Sequence, residues 1–125
     1  MNPVIQKTIE RRQSPRIAFN VPLKLSQAEG EDFVTQTVNI SRSGAYCEVD
    51  NYIEPMTKLK VNLLVPVRKG EKSSAKKVSC NGIVVRTEPI ELQQQYNVAI
   101  FFSDITKKDS EIISDYINNL LEQEA

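Results

Sequence analysis

Two clusters in the 125-residue chain carry side chains that packing does not call for. The first, Arg11-Arg12-Gln13-Ser14-Pro15-Arg16, places three guanidinium groups on a segment with little reason to be core. A guanidinium is always charged. Its planar fork makes two parallel hydrogen bonds to phosphate oxygens or to a purine edge, and its face stacks on a flat base. The second cluster, Asn39-Ile40-Ser41-Arg42-Ser43-Gly44, is a polar turn between two apolar stretches. Asn39, Ser41 and Ser43 can bond the turn's own backbone, and Gly44 permits either φ > 0 or the close approach of something bulky. Asn, Ser and Gly also dominate ordinary turns, so taken alone the second cluster reads first as a well-made turn.

Taken together, the clusters resemble a known pair. An Arg-x-x-x-Arg segment (Arg12, Arg16) followed about one hairpin later by Asn/Asp-x-Ser-x-x-Gly (Asn39, Ser41, Gly44) resembles the signature of the PilZ domain family. Members of that family are small bacterial β-barrels, many of which bind the second messenger cyclic di-GMP. The likeness runs from about residue 11 to 116, through Gly-Ala-Tyr-Cys-Glu-Val after the turn, a later Gly-Ile-Val-Val-Arg, then Val-Ala-Ile-Phe-Phe and a closing helix. The chain departs from the pattern at Asn39, where Asp is commoner, and at Ala99, where Gly is frequent. The second departure is expected to affect packing more than the site.

The resemblance implies a receptor or adaptor whose surface changes on binding cyclic di-GMP, and which then regulates an unidentified effector protein in motility, biofilm or exopolysaccharide production. The implied ligand-binding residues are Arg11, Arg12, Arg16, Asn39, Ser41 and Gly44. Arg12 and Arg16 would fork to phosphate or guanine and Asn39 would bond a guanine edge. Ser41 would meet a phosphate or a base, Gly44 would leave room, and Arg11 would add a further contact. Arg42 and Ser43 read as plain turn residues. The alternative is a PilZ-like protein–protein interaction module that binds no nucleotide.

Composition bounds the other functions. With 16 basic and 16 acidic residues there is no net field to favour a nucleic acid polymer or an anionic membrane. The chain has no His, no evident nucleophile–base pair and no G-x-x-x-x-G-K loop, so it does not read as an enzyme. Cys47 and Cys80 sit in apolar strand patterns without metal-ligand spacing, so neither a metal nor a cofactor is expected. No apolar run reaches the length of a signal peptide or of a membrane span. A cytoplasmic monomer or weak dimer is expected.

The elements that must present these clusters read as mainly β, a six-stranded antiparallel β-barrel with a C-terminal α-helix and a flexible N-terminal arm. The arm covers 1–10 and a single domain covers 11–122, with the barrel over about 17–102 and the helix over about 107–122. Strands are predicted over 17–25, 33–40, 45–49, 58–65, 78–87 and 96–102. Residues 50–57 and 88–95 read as loop and turn, and the Lys- and Ser-rich 68–77 as a solvated hairpin loop. Gly82, inside a strand pattern, suggests a bulge or a barrel bend. Thr106 reads as a helix N-cap, and Ile112, Ile113, Tyr116, Ile117, Leu120 and Leu121 form one apolar stripe. That stripe suits either a cover for the barrel or a dimerisation helix.

Overall fold

The computed structural model describes residues 20–27, 30, 32–70 and 72–124. Arg11, Arg12, Arg16 and the arm expected over 1–10 lie outside the described residues. Among the described residues there are six strands: β1 (Pro22–Ser26), β2 (Asp32–Ile40), β3 (Gly44–Val49), β4 (Lys58–Lys69), β5 (Lys72–Ile90) and β6 (Gln95–Phe102). The helix α1 (Lys107–Glu124) follows them. Every strand pairing is antiparallel, and β1 pairs with β2 on one side and β4 on the other. The order β1-β2-β3-β6-β5-β4 therefore closes into a barrel, which satisfies wall edges that short strands would otherwise leave open.

Alternation builds the core. Leu23 and Leu25, Val61, Leu63 and Val65, and Val98, Ile100 and Phe102 all point inward and are buried, while Lys24, Leu64 and Phe101 between them are exposed. The helix is started by Thr106, whose hydroxyl accepts the Asp109 N–H at 3.1 Å, satisfying one of the donors that a helix start leaves orphaned. Ile113 is fully buried, and Ile112, Tyr116, Ile117 and Leu120 pack against the same core, with α1 lying on β4 and β5. The apolar stripe of the helix is thus taken up by the chain's own barrel.

Four expectations need correction. Residues 68–77 are not a loop: β4 and β5 continue as a ladder as far as Lys69 opposite Lys72. A ribbon whose side chains are exposed over 72–77 has no buried face to print an alternating pattern on the sequence. Likewise β5 runs on to Ile90, which shortens the turn to 91–94. Of the strand predicted over 17–25, residues 17–19 lie outside the described residues and Asn20 and Val21 precede the strand, which runs from Pro22, a position where a missing N–H costs a sheet little. Gly82 sits in regular register opposite Leu59 and Phe102, and the irregularity in β5 falls instead between Val84 and Arg86. What Gly82 provides is space, since a Cβ there would stand 2.7 Å from Ile100 Cγ2 and 2.9 Å from Val61 Cγ2.

Two measurable consequences arise from this frame. Leu92 has φ 64° with its side chain fully in solvent, so it carries left-handed strain with no packing to offset it. Leu92→Gly removes a cost of about 1–2 kcal/mol while adding unfolded-state entropy worth about 0.4–1 kcal/mol. Thermal denaturation is expected to show a net gain of about half to one kcal/mol; a loss would mean that the side chain is held by something. The second consequence concerns the buried, free cysteines. Burial first, then the charge of Glu48, pushes the Cys47 thiol up to about 12; burial, then Asp104 and Asp109, pushes Cys80 up to about 11. Because the folded values lie above the ordinary 9.0, their contribution to stability is complete below that pH and is lost as pH rises through the folded values. Alkylation at pH 8 should therefore await unfolding, and rapid labelling of the native protein would contradict the burial.

Candidate functional site

The β2–β3 turn is built by its own hydroxyls. Ser41 N–H donates to the Gly44 carbonyl at 2.8 Å, and Ser43 N–H donates to Ser41 Oγ at 3.2 Å. Ser41 Oγ also lies 3.1 Å from Ser43 Oγ and 3.4 Å from the Gly44 oxygen. Phe102 N–H donates to Ser43 O at 2.9 Å, which pins the turn to β6. Ser43, read from sequence as a plain turn residue, bonds within the turn and also lines the groove beside it. Ser41 is partly a turn residue too, although its exposed oxygen still faces solvent.

Gly44 is required by proximity. Its φ is not positive; instead it stands opposite Phe101, and a Cβ would fall 2.2 Å from the Ile100 carbonyl oxygen. Of the two roles its sequence position allows, close backbone approach is the one the barrel uses.

Beside the turn runs an open groove of about 260 Å³. Asn39, Ser41 and Gly44 line it together with Tyr46, Val85 and Phe101, and Ala99 and Ile100 contribute as well. Its shape comes from two irregularities in the sheet. In β2 the register shifts between Thr37 and Asn39, so Val38 and Asn39 both face outward where strict alternation would turn one of them in. In β5 the shift between Val84 and Arg86 does the same for Val85 and Arg86. A bulge re-aims a side chain in this way without interrupting the sheet. Between the two bulges, Tyr46 pairs with Ala99 and Ala99 with Arg86, so a small residue lies among larger ones.

The groove's chemistry is mixed. Tyr46, Val85 and Phe101 each keep about half of their surface open, at 47%, 55% and 48%, and offer flat or apolar walls. The Asn39 amide is exposed and has no hydrogen-bond partner among the described residues, which leaves both its donor and its acceptor available. Among the described residues no carboxylate lines the groove; Arg42 and Arg86 are exposed beside it, Arg86 3.9 Å from the Glu88 carboxylate. An anion bearing a planar, hydrogen-bonding ring would meet no like charge among the described lining residues.

The structure therefore brings Asn39, Ser41 and Gly44 to one surface, while Arg11, Arg12 and Arg16 lie outside the described residues. It also corrects the expectation for Ala99, whose position belongs to the groove as well as to the packing. Tyr46, Val85 and Phe101 went unnoticed in the sequence. A signal did exist for Tyr46 and Phe101, since each is an aromatic at an outward position of an alternating strand. Val85 had none, because its exposure depends on the bulge.

Residues 10–119 match the PilZ domain. The chain belongs to the PilZ domain family. The same fold recurs in solved structures of larger proteins. Bacillus subtilis inhibitor of motility (MotI/DgrA) superposes with a TM-score of 0.69 at 20% identity, covering 93% of this chain and 54% of that one. The apo state of K. pneumonia MrkH superposes with a TM-score of 0.69 at 16% identity, covering 96% and 55%. This PilZ chain thus spans about half the length of each, and at such identities the likeness is one of fold. No curated protein matches the sequence. Among the described residues of the PilZ chain, no helix is long and apolar enough to cross a membrane.

Proposed function

We propose that this PilZ domain is a cyclic di-GMP receptor that acts as an adaptor, binding the dinucleotide between the Asn39–Gly44 turn with its groove and the Arg11, Arg12 and Arg16 segment. The observation that carries the proposal is the convergence of Asn39, Ser41 and Gly44 on a groove that has an apolar wall and, among the described residues, no carboxylate. Asn39 presents an amide whose NH2 can donate to guanine O6 while its Oδ1 accepts from guanine N1–H. Tyr46 and Phe101 supply surface for a base, and base–aromatic stacking is worth about 1–3 kcal/mol per base. The phosphates fall to the arginines, whose charge-assisted forks are about twice as strong as neutral hydrogen bonds.

The arginine segment gives the module its output. Arg11, Arg12 and Arg16 repel one another, and Glu10 is the one acid within the 7–16 stretch. A ligand with two phosphates supplies the missing anions and offsets the roughly 1–2 kcal/mol per residue that ordering a backbone costs. The surface near the barrel rim then changes while the barrel stands still, and an effector protein reads that surface. Motility, biofilm or exopolysaccharide production is the proposed setting, and the cytoplasm the proposed compartment. Amide exchange over 7–16 with and without cyclic di-GMP tests the switch: protection should appear on saturation, and equal protection in both states would leave a static receptor.

A further inference from the structure

The β5–β6 turn holds a large apolar side chain out in water. Leu92 is fully exposed at φ 64°, and Gln93 N–H donates to Ile90 O at 3.2 Å to close the turn around it. Left-handed backbone is costly for a residue other than glycine, and strain kept without a packing gain points to a surface that something else uses. Its surroundings are acidic. Glu88 and Glu91 are exposed, and Gln95 draws Asp50 in, its Nε2 donating to Asp50 Oδ1 at 3.0 Å. Arg86 offsets one of these carboxylates, 3.9 Å from Glu88. Tyr52, 56% exposed and edge-on to Tyr96 with ring centres 5.6 Å apart, adds a second apolar side chain to this end of the barrel.

The outer face of the barrel holds a counterpart. A groove of about 410 Å³ crosses β1, β2 and β4, and Pro22, Val34 and Leu64 give it apolar walls. Val34 is 80% exposed and Leu64 50%, at outward positions where an antiparallel sheet is ordinarily polar. Lys24 and Lys77 line the groove and, among the described residues, no carboxylate does. Lys24 holds Asp32 at 3.2 Å. Lys77 has no ion-pair partner among the described residues, and Lys72 and Lys76 are exposed farther along the same strand. Lysines on an open strand also guard it from edge pairing, but that leaves Val34 and Leu64 unexplained. Turn and groove cannot meet within one chain: β5 is paired with β4 or β6 from end to end, so Lys77 and Ile90 stand roughly 40 Å apart along it at about 3.3 Å per residue.

An apolar knob among carboxylates and an apolar groove among lysines are the two halves of a head-to-tail contact, in which each copy gives its knob and receives its neighbour's. A two-fold contact through either half would set lysine on lysine or carboxylate on carboxylate. We propose that the groove walled by Pro22, Val34 and Leu64 is the docking site for the β5–β6 turn of a second copy of this chain, seated through Leu92 and steered by Glu88 and Glu91 toward Lys77. The contact shares no residue with the Asn39–Gly44 groove and does not rest on the cyclic di-GMP reading. Sedimentation velocity of the full chain should show association that grows with concentration and weakens with salt. Leu92→Gly should weaken it about tenfold to a hundredfold, the effect of one leucine side chain returned to water. Because that change is expected to stabilise the fold, the loss is not one of folding. Val34→Asp, which puts a carboxylate into the groove at an exposed position, should act alike. Lys77→Glu and Glu91→Lys should each weaken association, and mixing the two variants should restore it. A nitroxide on Gln93→Cys of one copy, an exposed position in a chain whose native cysteines are buried, should broaden the amide signals of Val34 and Leu64 in an isotope-labelled second copy. A parent that stays monomeric at every concentration overturns the proposal, as it would if an acidic, apolar segment of another protein were the occupant. So does a Leu92→Gly chain that associates like the parent, or broadening confined to residues away from Val34 and Leu64.

Discussion

Arg12→Ala and Arg16→Ala are each expected to weaken cyclic di-GMP binding by about tenfold to more than a hundredfold, because a hydrogen bond to a charged group is worth roughly 1.5–3 kcal/mol. The melting temperature should stay within about 2–3 °C of the parent, as it does for substitutions away from packed or bonded sites. The barrel closes through strands that start at Pro22, β1 pairing with β2 on one side and β4 on the other. Calorimetric titration paired with thermal denaturation checks both halves. If either variant binds as tightly as the parent, that arginine does not touch the ligand. If a variant melts much earlier, its arginine is structural.

Gly44→Val is expected to damage the protein before any ligand is added. Its Cβ would lie 2.2 Å from the Ile100 oxygen and 3.2 Å from the Ile100 carbonyl carbon, and these are backbone atoms of a paired strand that cannot swing aside. Overpacking usually costs about 1–3 kcal/mol and occasionally more, and a clash with backbone belongs at the upper end. A loss of about 3 kcal/mol or more should appear as a fall of about 10 °C in the apo melting temperature. Even Gly44→Ala should lose a large part of this, since the methyl alone makes the contact. A Gly44→Ala protein that melts normally and binds poorly would mean that β3 and β6 can separate locally and that the glycine serves ligand clearance alone.

The parts of this molecule that were legible in its sequence are those where one face is buried and the other wet. Val61, Leu63 and Val65 alternate with polar or exposed neighbours, and the strand they predict is there. Thr106 and the stripe from Ile112 to Leu120 gave the helix and its buried side. The 72–77 ribbon was missed because it buries neither face. The bulges were missed for a different reason: a register shift is decided by how two strands meet, and Gly82, the residue that looked like a bulge, is small because Ile100 and Val61 press on it. The site divided along the same line. Asn39, Ser41 and Gly44 were picked out by the resemblance to the PilZ signature, and they line one groove. Tyr46, Val85, Ala99 and Phe101 came to the same groove through pairing between strands distant in sequence, which spacing along the chain does not encode.

The central claim is that the groove and the arginine segment form a receptor selective for cyclic di-GMP. Isothermal titration calorimetry of the full chain with cyclic di-GMP, GMP and cyclic di-AMP tests it most directly. The account predicts saturable heat with cyclic di-GMP, accompanied by a rise in stability of about 2.7 kcal/mol at a ligand concentration near 100 times Kd. GMP, which lacks the second base and the bridging phosphates, and cyclic di-AMP, which lacks the guanine edge, should give little or none. Absence of heat and of any melting shift with cyclic di-GMP, or equal binding of cyclic di-AMP, would contradict it.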